Sequence, residues 1–98
     1  MNDQELYDFH QEKLYSLDLE QRAKMVAALR GLFHGTPTAE TIRERIAQDP
    51  LRWWVDLHFS WGMAVRNALR DLGYTEAAIG VENLDDYWVG LVELAVQE

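Results

Sequence analysis

No stretch of this chain alternates apolar and polar residues at period two for long enough to make a strand; its apolar residues recur at steps of three and four instead. That pattern restricts the fold class to all-α. Leu6, Phe9, His10, Leu14 and Leu17 line one face of a helix over about 3–15. Leu19, Met25, Val26, Leu29, Leu32 and Phe33 do the same over about 19–33, with Asp18 or Ser16 as the N-cap. The His34-Gly35-Thr36-Pro37 break ends that helix. Gly35 suits a left-handed cap, and Pro37 suits the first turn of a short helix over 37–48 anchored by Ile42 and Ile46. Asp49-Pro50 repeats the start signal, and nothing but Gly62 interrupts helical spacing until Gly73. Residues 50–72 therefore read as the longest element, about 34 Å at 1.5 Å per residue. Thr75 caps a short turn closed by Gly80, and Asn83 opens a last helix over 84–97. The expectation is one domain spanning 1–98, a compact bundle of four to five helices.

Ninety-eight residues, 48% of them hydrophobic, supply one core and not two. The net charge of −8 hides a partition. Residues 1–20 carry six acids and one base, residues 21–70 eight bases and four acids, and residues 71–98 seven acids and no base. Acidic ends folded on a basic middle would neutralise one another. A chain this acidic repels phosphate, which argues against nucleic-acid binding. With no cysteine, disulfides, thiol catalysis and thiolate zinc sites are excluded, as a reducing compartment permits. The acidic start MNDQELYDFH is unlike a basic signal sequence, so a cytoplasmic protein is expected. No apolar run approaches membrane-spanning length, and no helix joins a basic face to a bare apolar one, so no membrane role is expected.

Placed on a helical wheel, residues 50–72 separate into an apolar arc through Trp54, Leu57, Trp61, Val65 and Leu69 and a polar arc through Arg52, Asp56, Ser60, Asn67 and Arg70. Phe59 and Met63 fall on the polar side, with Trp53 near its border. Aromatic, Met and Arg side chains are what interfaces favour, so Trp53, Phe59, Met63, Arg52 and Arg70 form the candidate partner-binding surface. Gly62 and Gly90 each interrupt a helix, which suggests that the two helices cross closely.

His58, Gly62 and Arg66 step by four, and Asn67 follows. A half-buried Arg or His needs a carboxylate, and Asp85, expected on the apolar side of the last helix with Asp86 turned to solvent, is the candidate partner. His58, Arg66, Asn67 and Asp85 are thus a candidate structural polar contact. The run from His58 to Asn67 has the form H-x3-G-x3-R-N and precedes Asn83-Leu84-Asp85-Asp86-Tyr87. Over residues 53–96 it resembles small uncharacterised bacterial and phage helical proteins with that helix motif. The resemblance implies a helical arrangement and a phage or mobile-element origin; it implies no activity.

Nothing in the chain assembles catalytic chemistry. His10, His34 and His58 lack the spacings of helical metal sites, and Ser60 lies on a different side of a helix from His58. The glycines stand singly, so there is no phosphate loop. No metal, no cofactor and no enzymatic activity are expected. The functional expectation is a small acidic adaptor or inhibitor that binds another protein, with a homodimer through the aromatic side of the long helix as one form of that binding. Two other readings remain: an acidic DNA mimic that occupies a nucleic-acid-binding protein, and a ligand-binding or catalytic pocket around His58 and Arg66.

Overall fold

A computed structural model describes residues 1–97. Its helices are α1 (Asp3–Ser16), α2 (Leu19–Phe33), α3 (Thr38–Gln48), α4 (Trp61–Asp71), α5 (Glu76–Ile79) and α6 (Trp88–Val96), with 3₁₀ turns at Val55–Leu57 and Leu84–Asp86. The described residues contain no strand, and none of their helices is long and apolar enough to cross a membrane.

Local chemistry sets the first boundaries. The Asn2 side chain accepts from the Glu5 amide at 2.8 Å, and Asp18 accepts from the amides of Glu20 and Gln21, satisfying N–H groups that have no partner inside the helix. Gly35 takes φ 76°, and Thr36 Oγ1 accepts from the Thr38 amide, so α3 starts just after Pro37.

The organising element is α6. Its sequence, WVGLVELAV, is apolar on nearly every side, as suits a helix surrounded by others. It packs against α1, α2, α3 and α4, and Trp88, Val89, Leu91, Val92, Ala95 and Val96 are all buried. Two arginines from the basic middle close its C-terminus. Arg30 donates to the carbonyls of Leu94 and Ala95, and Arg43 to that of Val96 at 2.9 Å. Cations are stabilised at this end by the helix dipole.

The expected helix over 50–72 is corrected, because it is not continuous. Asp49 ends α3, and Pro50 begins a run of turns rather than a helix. The amides of Val55, Leu57 and Ser60 bond three residues back, to Arg52, Trp54 and Leu57, and α4 begins only at Trp61. Adjacent Trp53 and Trp54 both need apolar surroundings, and a regular helix would put them about 100° apart. The turns let Trp53 reach the core, 2% exposed, while Trp54 packs on His10. Two carbonyls left without helical amides are taken by guanidinium groups: Arg45 bonds Trp53 O and Arg66 bonds His58 O. The last helix is likewise shorter than 84–97, since Leu84–Asp86 is a 3₁₀ turn and α6 starts at Trp88. The bundle of four to five helices thus becomes six among the described residues, all but α5 longer than two turns.

The glycine expectation also changes. A Cβ on Gly62 would lie 2.6 Å from the Trp88 ring, so Gly62 admits that indole from α6. Gly90 instead faces Leu14 of α1, with a Cβ meeting Leu14 Cβ at 3.0 Å. The two glycines serve different contacts, not one crossing.

Candidate functional site

Two polar groups stand against the tryptophans of the core, one at Trp88 and one at Trp53. The first is Arg66, 4% exposed, on the inner face of α4. Its Nε lies 3.1 Å from Asp85 Oδ1, its Nη2 donates to His58 O at 3.1 Å, and its Nη1 lies 3.4 Å from His58 Nδ1. The guanidinium also sits over the Trp88 ring, 5.7 Å from its centroid. A buried cation thereby has a carboxylate, a carbonyl and an aromatic face around it. The pattern-based Arg66–Asp85 pairing is present, though the exposures of the two acids are the reverse of the expectation. Asp85 is half in water, and Asp86 is the more enclosed of the pair. Both belong to the 3₁₀ turn, so α6 periodicity does not govern where they point.

His58 and His10 flank Trp54, with ring centroids 5.9 and 4.8 Å from it. Burial pushes both imidazoles below their ordinary range. Arg66 adds to the effect at His58, whereas Asp85 there and Asp86 at His10 oppose it. Asn67 does not join this group: it is exposed, and its Oδ1 accepts from Arg70 Nη1 at 2.9 Å. Among the described residues no three His, Asp or Glu side chains converge as a metal site. The principal surface cavities are not lined by His58 or Arg66.

The surface expected to bind a partner is divided by the fold. Trp53 is corrected from surface to core: its ring packs edge-on to Trp88 at 6.0 Å. Arg70 forms a two-pronged pair with Glu76, at 3.1 and 2.7 Å, which holds the Glu76 carboxyl down to about 2. Arg52 meets Asp3 at 3.2 Å. Phe59 and Met63 remain outside, 81% and 44% exposed.

The second polar group is Glu93, partly buried on α6, which the sequence pattern did not single out. Its Oε1 accepts from Gln11 Nε2 at 3.0 Å and its Oε2 from Trp53 Nε1 at 3.3 Å. Burial pushes its carboxyl up to about 7 despite those two bonds. Beside it opens a cavity of about 430 Å³ between α1, α3 and α6, whose walls include Tyr7, Tyr15, Ile46, Pro50 and Leu94. The available signal was a single acid inside an otherwise apolar helix.

The acids of residues 71–98 are distributed rather than gathered. Glu76 faces Arg70, Asp85 faces Arg66, Asp86 and Glu93 are partly buried, and Asp71 and Glu82 are exposed. Glu98 lies outside the described residues. Ion pairs take up two of the six described C-terminal acids, Glu76 and Asp85, and the six do not gather on one face-forming element. No protein-family model matches the chain, and no match is found among the curated proteins or the solved structures.

Proposed function

We propose that this chain is a non-enzymatic protein-binding module, an adaptor or inhibitor, that engages its partner through Phe59 and the adjoining Met63. The observation that carries the reading is Phe59 itself, a large apolar ring 81% exposed on a turn that is held from beneath. Arg66 bonds the carbonyl of the preceding residue, His58, and Ser60 Oγ donates to Leu57 O on the other side. The His58 ring meets that of Phe59 edge-on at 4.8 Å. A ring displayed on a braced turn loses little conformational freedom on binding, which is how aromatic anchors come to dominate interfaces. Met63, four residues on in the first turn of α4, adds an exposed and adaptable side chain.

Support for the non-enzymatic part comes from the hydroxyls: Ser16 Oγ and Ser60 Oγ both donate to backbone carbonyls rather than to a base. Replacing Phe59 by Ser leaves the fold intact, changing stability by less than about 0.5 kcal/mol, because the ring is outside the core. It should nevertheless remove partners captured from a host lysate by the wild-type chain. Retention of the same partners by the variant would sink the reading. Light scattering at two concentrations identifies the case in which the partner is a second copy.

A further inference from the structure

Glu93 and the cavity beside it have no part in the Phe59 surface. The cavity is of the size of small-molecule sites, about 300–1,000 Å³, and is walled by the C-terminal half of α6 together with α1 and α3. Its one acidic wall residue among the described residues is Glu93. Among the described residues no Lys, Arg or His comes within ion-pair distance of that carboxylate; its hydrogen-bond partners are the neutral Gln11 and Trp53. Each carboxylate oxygen accepts one hydrogen bond there and retains a further lone pair.

The rest of the wall suits a cation on an apolar stem. Ile46, Pro50 and Leu94 are apolar, and Tyr7 and Tyr15 supply rings. The carbonyl end of α6 is negative in its dipole and already attracts Arg30 and Arg43. We propose that this cavity binds a primary ammonium group carried on a short apolar chain, with Glu93 as its counter-ion. A free alkylamine and a lysine side chain of a partner protein share that chemistry.

The groups facing Glu93 are Tyr7 and Gln11 from α1, Trp53 from the turn, and Arg43 across the cavity from α3. Tyr7 is pushed up by burial and then by Glu93, and stays neutral near pH 7. Glu93 is thus the group that changes charge as pH rises from about 6 to 8, and amine binding should strengthen over that interval.

Tryptophan fluorescence reports through Trp53, which touches Glu93. The probes are hexylammonium, neutral 1-hexanol and the peptide acetyl-Gly-Lys-Gly-amide. Hexylammonium should bind about tenfold more tightly than hexanol at pH 8, and Glu93→Gln should abolish the difference. Binding of hexylammonium alone assigns a free amine; binding of the peptide as well assigns a lysine side chain. Equal binding of amine and alcohol, or no amine binding, overturns the proposal, as does an amine preference that survives in Glu93→Gln. Should that variant not fold, carbon-13 NMR of the wild-type Glu93 carboxyl decides. Saturating amine should lower its pKa, and an unchanged titration overturns the assignment.

Discussion

Arg66, buried against Trp88, and Glu93, partly buried beside Trp53, are polar side chains whose surroundings differ in kind. Arg66 has a counter-ion, Asp85, a carbonyl acceptor and the face of an indole. Glu93 has two neutral donors, no cation within ion-pair distance among the described residues, and a cavity beside it. The first arrangement completes itself within the chain and braces the turn that displays Phe59. The second leaves a charge to be compensated by something else. Burial alone therefore does not separate a structural polar group from a binding one; the presence of an internal counter-charge does.

The largest expected effect breaks the Arg66 side of this contrast. Asp85→Ala leaves the guanidinium buried without its carboxylate and should cost about 3 kcal/mol in urea unfolding. Arg66→Met removes the buried charge and leaves Asp85 half in water, so it should cost less, about 1–2 kcal/mol, mostly for the unbonded His58 carbonyl. If Arg66→Met proves the costlier change, Arg66 is not a charge that depends on Asp85.

Next comes the aromatic layer between the two sites. Gly62→Ala would bring a methyl to 2.6 Å from the fully buried Trp88 ring, so one of the two must shift. Overpacking should outweigh the gain in helix propensity of about 1 kcal/mol and leave a net loss of about 1–2 kcal/mol. Thermal unfolding checks this, and a stabilised variant would show that the ring moves freely.

The Glu93 side gives a change of opposite sign. Its carboxyl titrates higher in the folded chain, about 7, than the ordinary 4.5, so the folded state holds the proton more tightly than the unfolded one. That contribution to stability is fully present below about pH 4.5, and it is lost as pH rises through 7. Its ceiling is about 3 kcal/mol. His10 and His58, pushed down by burial, slope the other way and cost stability as pH falls below their ordinary range. Glu93→Gln should remove only the first slope, making the variant more stable than the wild type at pH 8. Equal pH slopes in the two proteins would count against a buried, uncompensated carboxyl.

Much of the helical frame was legible because it follows from local chemistry. Asn2, Asp18 and Thr75 cap, and Gly35, Gly73 and Gly80 take positive φ, whatever lies around them. The long helix expected over 50–72 does not form, because Asp49-Pro50 is a start signal only if the following carbonyls find amides. Here the demand to bury Trp53 and Trp54 together, and the reach of Arg45 and Arg66 to the freed carbonyls, prevailed over spacing. The Arg66–Asp85 pair could be anticipated, since a cation at the edge of an apolar arc needs an acid. Glu93 went unnoticed because its partners, Gln11 and Trp53, lie 82 and 40 residues away and share no motif with it. A lone acid in WVGLVELAV was nevertheless visible as an anomaly that the polar-group rule would have flagged.

The most direct test of the contrast is the titration of the Glu93 carboxyl carbon by NMR in the folded protein without added amine. An uncompensated buried carboxyl predicts a midpoint at about 7, while a midpoint at the ordinary 4.5 would show that the charge is already satisfied and contradict the account.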